Sequence, residues 1–235
     1  LKWRATLEDG RSLRPGDRLG SIEGPAGAIL KAERIVLNML GRLCGIAGLT
    51  RRYVEAVSAT TARIYDTRKT TPGWRRLEKY AVRQGGGCNH RTGLFDAVLI
   101  KDNHLALGSE FSAARSYTPA EAVVRARDFI AAELSPSEAA NTIIEIEVDT
   151  LQQFDEVLPA GPHIVLLDNM SEAELREAVS RRDKLKAAVE LEASGGVTLE
   201  TVAAIARTGV QRISVGALTH SAASLDLGLD WQVSR

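Results

Sequence analysis

From Ala32 the apolar positions Val36, Leu40, Leu43, Cys44 and Ala47 recur at the spacing of a helix. Gly41 and Gly45 on the same stretch would admit a close neighbour, and a second helix-like stretch runs on to about Ser58. Beyond it the pattern changes to short apolar runs of strand length: Arg63–Tyr65, Ala97–Ile100, Ile143–Val148, Ile164–Leu167, Ala188–Leu191 and Arg212–Val215. Helix signals lie between most of them. Thr118-Pro119-Ala120-Glu121 offers an N-cap, a proline in the first turn and a glutamate three residues on, and Ser171 with Glu174 repeats the capping box. Thr150 starts another helix, and Thr198 to Arg207 forms one more. Strands alternating with helices predict a parallel sheet, and six such units favour a closed barrel. The segment Leu105 to Asn141 reads as a loop-plus-helix insertion. Residues 1 to 30 differ, with turn signals at Asp9-Gly10, Pro15-Gly16 and Gly24-Pro25 separating short runs, so a small strand-rich section is expected there. The run Leu1 to Leu7 resembles a strand already under way, which points to further chain upstream.

Composition is that of an ordinary globular protein of 235 residues, with 30 basic and 30 acidic side chains. No apolar run reaches the length of a membrane span, and no secretory signal pattern is present. Cys44 and Cys88 match no metal spacing and are too few for a disulfide framework, which predicts reduced thiols in a cytoplasmic protein. The four histidines show no zinc spacing either. Charge is uneven, however. Between Arg68 and Lys101 eight Lys or Arg face two acids, a local charge of +6 beside Pro72-Gly73 and Gly85-Gly86-Gly87. A neutral chain that gathers cations in one segment suits a small polyanion better than a nucleic acid.

In a parallel barrel the active site lies at the strand ends. Five of the six apolar runs here are followed by charge: Asp66, Arg68 and Lys69; Lys101 and Asp102; Glu147 and Asp149; Asp168; Glu192. Strand alternation places Glu145, Glu147 and Asp149 on one face, opposite Ile144, Ile146 and Val148. The apolar face must meet helices, so the carboxylates should look inward, where they need cations, hydrogen bonds or a metal; Lys69 and Lys101 are the nearest cations expected. Ser194-Gly195-Gly196 and Gly216-Ala217 fall after the last two runs, where backbone N–H groups commonly take a phosphate.

These motifs together resemble the quinolinate phosphoribosyltransferase family, from about Ala5 to Leu229. The resemblance is carried by Glu33-Arg34 ahead of Leu37-Asn38, Asp66-Thr67-Arg68-Lys69-Thr70, Gly85-Gly86-Gly87 with Asn89-His90-Arg91, Lys101-Asp102-Asn103-His104, Glu145-Ile146-Glu147-Val148-Asp149, Asp168-Asn169, Ser194-Gly195-Gly196 and Gly216 to His220. It implies an α/β fold in which an incomplete TIM-like α/β barrel (34–220) joins a small, here shortened, open α/β sandwich (1–33, with 221–235 packed on it). It implies transfer of 5-phosphoribosyl from phosphoribosyl pyrophosphate to quinolinate with loss of carbon dioxide, a step of NAD biosynthesis, with Mg2+ and no organic cofactor. By resemblance Arg68, His90, Arg91 and Lys101 hold quinolinate, with Arg34 supplied by a neighbouring subunit of a dimer or a hexamer of dimers. Lys69, Glu147 and Asp168 would serve the ribose and pyrophosphate, the two carboxylates also holding magnesium directly or through water. Ser194, Gly195, Gly196, Gly216 and His220 would take the 5-phosphate. No nucleic acid or membrane partner is implied. The alternatives are a related phosphoribosyltransferase-like protein of molybdenum operons and a non-catalytic ligand-binding barrel. The first usually departs from the Asn89-His90-Arg91 pattern, and the second would be expected to have lost Lys69 or the carboxylates.

Overall fold

The computed structural model describes residues 1–111 and 117–231. Strands β1 (Lys2–Ala5) and β2 (Gly20–Glu23) form an antiparallel pair, the strand-rich opening expected from the turn signals. Helix α1 (Ala26–Val57) then runs unbroken for 32 residues. The two helical stretches seen in the sequence are one helix, because no proline interrupts them and Thr50 hydrogen-bonds back to the Ile46 carbonyl at 2.8 Å instead of breaking the ladder. Gly41 and Gly45 do take a close neighbour, the extended segment that ends the described chain. A Cβ on Gly45 would lie 1.9 Å from the Ala223 carbonyl oxygen, and the Leu225 N–H bonds to the Gly41 carbonyl at 2.9 Å.

The remainder alternates strand and helix: β3 (Arg63–Tyr65), α2 (Arg75–Gln84), β4 (Val98–Ile100), α3 (Asp102–Phe111), α4 (Pro119–Glu133), α5 (Pro136–Asn141), β5 (Ile144–Val148), α6 (Leu151–Val157), β6 (Ile164–Asp168), α7 (Glu172–Leu185), β7 (Glu190–Ser194), α8 (Val202–Ala206), β8 (Arg212–Ser214) and α9 (Ala217–His220). All pairings in the second sheet are parallel, in the order β3-β8-β7-β6-β5-β4. Its outer face, with Ile64, Ile146, Val165, Leu167, Leu191 and Ile213, packs against Val123, Phe154, Leu175 and Val202 of the helices. Each such side chain contributes about 1.5–3 kcal/mol by leaving water, so this face decides which side of every strand turns inward.

Three expectations change. The sheet does not close, since β3 and β4 are its two edges. Six strands leave a gap, and Cys88 lies against β3 there through a single parallel bridge. The sheet is nonetheless strongly curled. In a flat sheet β3 and β5 would stand about 19 Å apart, yet His90, two residues past that bridge, reaches Glu145 of β5 at 3.0 Å. The fifth strand of this sheet begins at Glu190 and not at Ala188, so Glu192 lies inside the sheet and not beyond its end. Finally, Leu105 to Asn141 is no insertion but the crossover between β4 and β5, and Ala122, Val123 and Ile130 of α4 belong to the core. Ser135 with Glu138 caps α5 by the same capping box as Thr118 with Glu121; reading the region as an insertion hid that second signal. Among the described residues no helix is long and apolar enough to cross a membrane.

Candidate functional site

Beyond the C-terminal ends of the strands, the loop after β3 carries Arg68 and Lys69. Neither side chain has a hydrogen-bond or ion-pair partner among the described residues, and the Arg68 Nε is buried without one. The Lys69 loop is tied to the last loop of the sheet, because the Thr219 hydroxyl donates to the Lys69 carbonyl at 2.8 Å. A Cβ on Gly216 would meet both Lys69 Cδ and His220 Nε2 at 3.2 Å, so Lys69, Gly216 and His220 converge. Across the same end, Lys101 after β4 pairs with Glu147 Oε2 of β5. Asp168 ends β6, with Oδ2 accepting from the Asn169 amide at 2.7 Å. Asn169 adopts φ 53° and bonds through its N–H to the Ser194 carbonyl at 2.9 Å. Gly195, at φ +94°, is obligatory, since any Cβ there would lie 2.1 Å from Asn169 Oδ1. The ends of β6 and β7 are thus locked together by residues the sequence singled out.

Beneath this open end lies a closed polar layer. His90 Nε2 sits 3.0 Å from Glu145 and 3.5 Å from Glu192, while Arg212 Nε donates to Glu192 Oε2 at 2.6 Å and stacks 3.8 Å over the Tyr65 ring. Burial disfavours a charged His90, but the hydrogen bonds and negative charge of the two glutamates outweigh it and raise its pKa to about 9. Burial and the neighbouring Glu192 also raise that of Glu145. The trio therefore keeps one extra proton at neutral pH. The Arg91 N–H donates to His90 Nδ1 at 2.8 Å, so Nε2 is the ring nitrogen that donates to the glutamates.

That tautomer also decides the metal question for this layer. Nε2 of His90 and oxygens of Glu145 and Glu192 all lie within 4.8 Å of one another, a spacing a cation could use. A metal on Nε2 would need its lone pair and would leave Nδ1–H facing the Arg91 N–H, donor against donor. The layer is a hydrogen-bonded cluster, with Arg212 and the trapped proton balancing two carboxylates. Glu147 and Asp168 suit magnesium better. Each has one carboxylate oxygen held by a neighbour and one available, and Mg2+ characteristically takes one or two carboxylates with the rest of its shell from water and substrate phosphates.

The segment that carries His90 and Arg91 is itself clamped. Asp66 is fully buried and accepts from Lys79, from the Asn89 amide at 2.6 Å and from the His90 N–H at 2.8 Å. Burial pushes Asp66 up and Lys79 down, and their mutual hydrogen bond opposes both shifts. Arg91 lines a cavity of about 1090 Å³ together with Tyr65, Leu77, His90, Glu145 and Arg212. Burial and the nearby charge of Arg68 both weaken the hold of Arg91 on its proton.

The structure thus brings the expected residues together only in part. Lys69, Gly216 and His220 meet, as do Lys101 and Glu147, whereas His90 and Arg91 look onto the lower cavity. Of the three carboxylates expected inward, Glu147 takes the expected Lys101, whereas Glu145 meets His90 and not a lysine, and Asp149 is exposed after the strand. Arg34 is exposed on α1 and lines a separate small cavity with Asn38, Gly41 and Leu225, away from every other candidate in its own chain. Sequence reasoning missed Tyr65, Lys79, Glu78, Arg42 and Arg212. Alternation in β8, which sets Arg212 and Ser214 opposite Ile213, was the available signal for the last; Tyr65 needed the pairing of β3 with β8, Lys79 the approach of α2 to Asp66, and Glu78 and Arg42 the packing of α1 on α2.

A parallel sheet curled about a polar interior, with unpaired cations, carboxylates and glycine turns beyond its C-terminal strand ends, defines an α/β enzyme for a small anionic substrate. Comparison narrows this. The sequence model described as quinolinate phosphoribosyl transferase, C-terminal domain, matches residues 46–230, and the corresponding N-terminal domain matches 1–44. The chain is 47% identical over 225 residues to the nicotinate-nucleotide pyrophosphorylase (carboxylating) of Mycobacterium leprae, covering 95% of this chain and 73% of that one. It is 42% identical to a probable enzyme of the same name from Bacillus subtilis, over 97% of this chain and 72% of the relative. The crystal structure of nicotinate-nucleotide pyrophosphorylase from Ehrlichia chaffeensis superposes with a TM-score of 0.82 at 40% identity, over 97% and 76% of the two chains. The chain belongs to the quinolinate phosphoribosyltransferase family.

Proposed function

We propose that this protein transfers 5-phosphoribosyl from phosphoribosyl pyrophosphate to the ring nitrogen of quinolinate, giving nicotinate mononucleotide, pyrophosphate and carbon dioxide on the route to NAD. The observation that carries the assignment of roles is the Arg68-Lys69 loop. Its two cations lack acidic partners, and it is bonded directly to the Gly216–His220 loop. An anion held by Gly216, Ser194, Gly195, Gly196 and His220 would bring its other end to Lys69. The 5-phosphate suits the glycine turns, and the pyrophosphate suits Lys69.

Glu147 and Asp168 then lie near the ribose. As the bond from the anomeric carbon to pyrophosphate stretches, that carbon becomes cationic, and a carboxylate beside it stabilises this state more than the ground state. Lys69 offsets the charge growing on the departing oxygen. Magnesium, when held by Glu147 and Asp168 together with the substrate, supplies further neutralisation of the pyrophosphate. The new carbon–nitrogen bond leaves the ring nitrogen positive, so the adjacent carboxylate departs as carbon dioxide with its electron pair drawn to the ring. A proton takes its place. The dianionic acceptor is held by Arg68, Arg91 and Lys101, whose planar or point charges match two carboxylates; His90 borders this site from below.

Arg34 is too far from these groups to act in its own chain, so we assign it to the site of a second copy in a two-fold assembly. The curled six-stranded sheet is read as an incomplete barrel, and β1, β2 and the start of α1 as part of a small sandwich, with a location in the cytoplasm. The test is a joint measurement of carbon dioxide and pyrophosphate from quinolinate, phosphoribosyl pyrophosphate and Mg2+. Lys69→Ala should lower turnover while leaving quinolinate affinity nearly intact. Unchanged turnover with a lost quinolinate site would exchange the roles of Lys69 and Arg68.

A further inference from the structure

Arg42, in the middle of α1, belongs to no site discussed above, yet its guanidinium touches three segments at once. Its Nε and Nη2 donate to Glu78 Oε1 at 3.3 and 3.1 Å, Nη1 donates to the Ala222 carbonyl at 2.8 Å, and Nη2 also reaches the Thr219 carbonyl. Glu78 on α2 is fully buried, and its remaining contacts all go to one residue, the Thr71 N–H at 3.0 Å and the Thr71 hydroxyl at 2.8 Å. Thr71 ends the loop that carries Arg68 and Lys69. Thr219 and Ala222 end the loop and short helix that carry Gly216 and His220. The Thr219 hydroxyl closes the circuit on the Lys69 carbonyl. A cation over the last carbonyls of α9 satisfies groups that a helix leaves unpaired at its C-terminus, and a buried carboxylate needs the four donors that Glu78 receives.

We propose that Arg42 is a positioning residue, and that the Arg42–Glu78 pair fixes the distance between the Lys69 loop and the Gly216–His220 loop. This rests on the reading that the two loops hold opposite ends of one phosphorylated substrate. A fixed separation then lets binding energy at the 5-phosphate aim Lys69 at the leaving group, which affects the transition state more than the bound substrate. Of the groups assigned to quinolinate, Arg91 and Lys101 lie outside the circuit and only Arg68 shares its loop, so acceptor binding is affected less than the aim of Lys69. Arg42→Lys keeps the charge but cannot bridge a carboxylate and two carbonyls together.

The experiment is steady-state kinetics of Arg42→Lys with calorimetric binding of quinolinate. Turnover should fall about tenfold or more and KM for phosphoribosyl pyrophosphate should rise, while quinolinate affinity stays within about twofold. Adding Glu78→Gln should cost little beyond the single change, because both cut the same circuit. Wild-type kinetics in Arg42→Lys, or a parallel loss of quinolinate affinity, overturns the proposal. Should that variant not fold, Thr219→Val leaves Arg42 and Glu78 in place, removes the tie to the Lys69 carbonyl together with the hydroxyl's contact to the Gly216 carbonyl at 3.2 Å, and should show the same split at about threefold; no split there overturns the proposal equally. If the parent protein itself releases no pyrophosphate from these substrates, the functional reading fails on its own. The circuit is then judged by amide exchange. Faster exchange at Lys69 and Thr71 in Arg42→Lys, with α7 unchanged, supports it, and unchanged exchange overturns it.

Discussion

The open end of the sheet and the layer beneath it are built from the same residue types and arranged for opposite purposes. Below, the side chains of His90, Glu145, Glu192, Arg212 and Tyr65 are buried against one another, with His90 and Arg212 offsetting the two glutamates, although Glu192 Oε1 accepts no hydrogen bond among the described residues. Above, Arg68 and Lys69 have no side-chain partner among the described residues, and the Lys101–Glu147 pair is part exposed, with 41% and 12% of the side chains accessible. Buried charge must be neutralised inside the protein, because the cost of leaving it alone is several kcal/mol. Charge at the open end is left unpaired at little cost where water covers it, as at Lys69, whereas the buried Arg68 Nε lacks that cover. Unsatisfied cations thus mark where substrate is expected, and satisfied ones mark what holds the floor of the site.

The contrast is broken most sharply by removing one partner from each region. Glu192→Ala removes the carboxylate that Arg212 Nε bonds at 2.6 Å, leaves Arg212 only the longer contact to Glu190 at 3.5 Å, and should destabilise the fold by about 3–5 kcal/mol. Lys101→Ala should cost less than about 1 kcal/mol, as exposed pairs do, yet abolish most quinolinate binding. Denaturant titrations of both variants check the pair of outcomes. Equal stability losses would mean that the two regions do not differ as described.

Acidity probes the lower layer alone. Both His90 and Glu145 have raised pKa values, so the folded protein binds a proton that the unfolded chain gives up earlier, at the ordinary His value near 6.5 and below. The stabilisation from His90 is fully present below its unfolded value and is lost as pH rises through about 9, by up to roughly 3 kcal/mol for a shift of this size. Stability measured from pH 6 to 10 should decline more steeply in the parent than in His90→Asn. Parallel curves would show that no proton is trapped there.

On the lower cavity, within the influence of the Arg68 charge, Arg91→Lys keeps a charge and loses the fork, so quinolinate binding should weaken by about 1.5–3 kcal/mol while phosphoribosyl pyrophosphate binding changes little. Calorimetry that finds both ligands weakened alike would remove Arg91 from the acceptor site. The smallest effect concerns Arg34. Mixing inactive Arg34→Ala with inactive Lys69→Ala should restore roughly a quarter of wild-type activity, since half of randomly paired dimers are mixed and each has one complete site. Subunit exchange is first shown with labelled chains. A mixture as inactive as its parents then places Arg34 in its own chain's function.

Much of this was readable in the sequence because it depends on neighbours along the chain. Strand alternation turned Glu145 and Glu147 inward, capping boxes set the starts of α4 and α7, and the charge between Arg68 and Lys101 marked the segment proposed to hold the anionic substrates. These follow from periods of two and 3.6 residues and from local hydrogen bonds. Tertiary structure alone decided what the inward charges meet. The register of β7 carried Glu192 into the interior, the gap between β3 and β4 let the Asn89-His90-Arg91 segment enter it, and the packing of α2 on α1 joined Arg42 to Glu78, 36 residues apart. A charge in a sequence carries no record of its eventual partner. Burial makes a partner necessary, and only the fold determines which one is within reach.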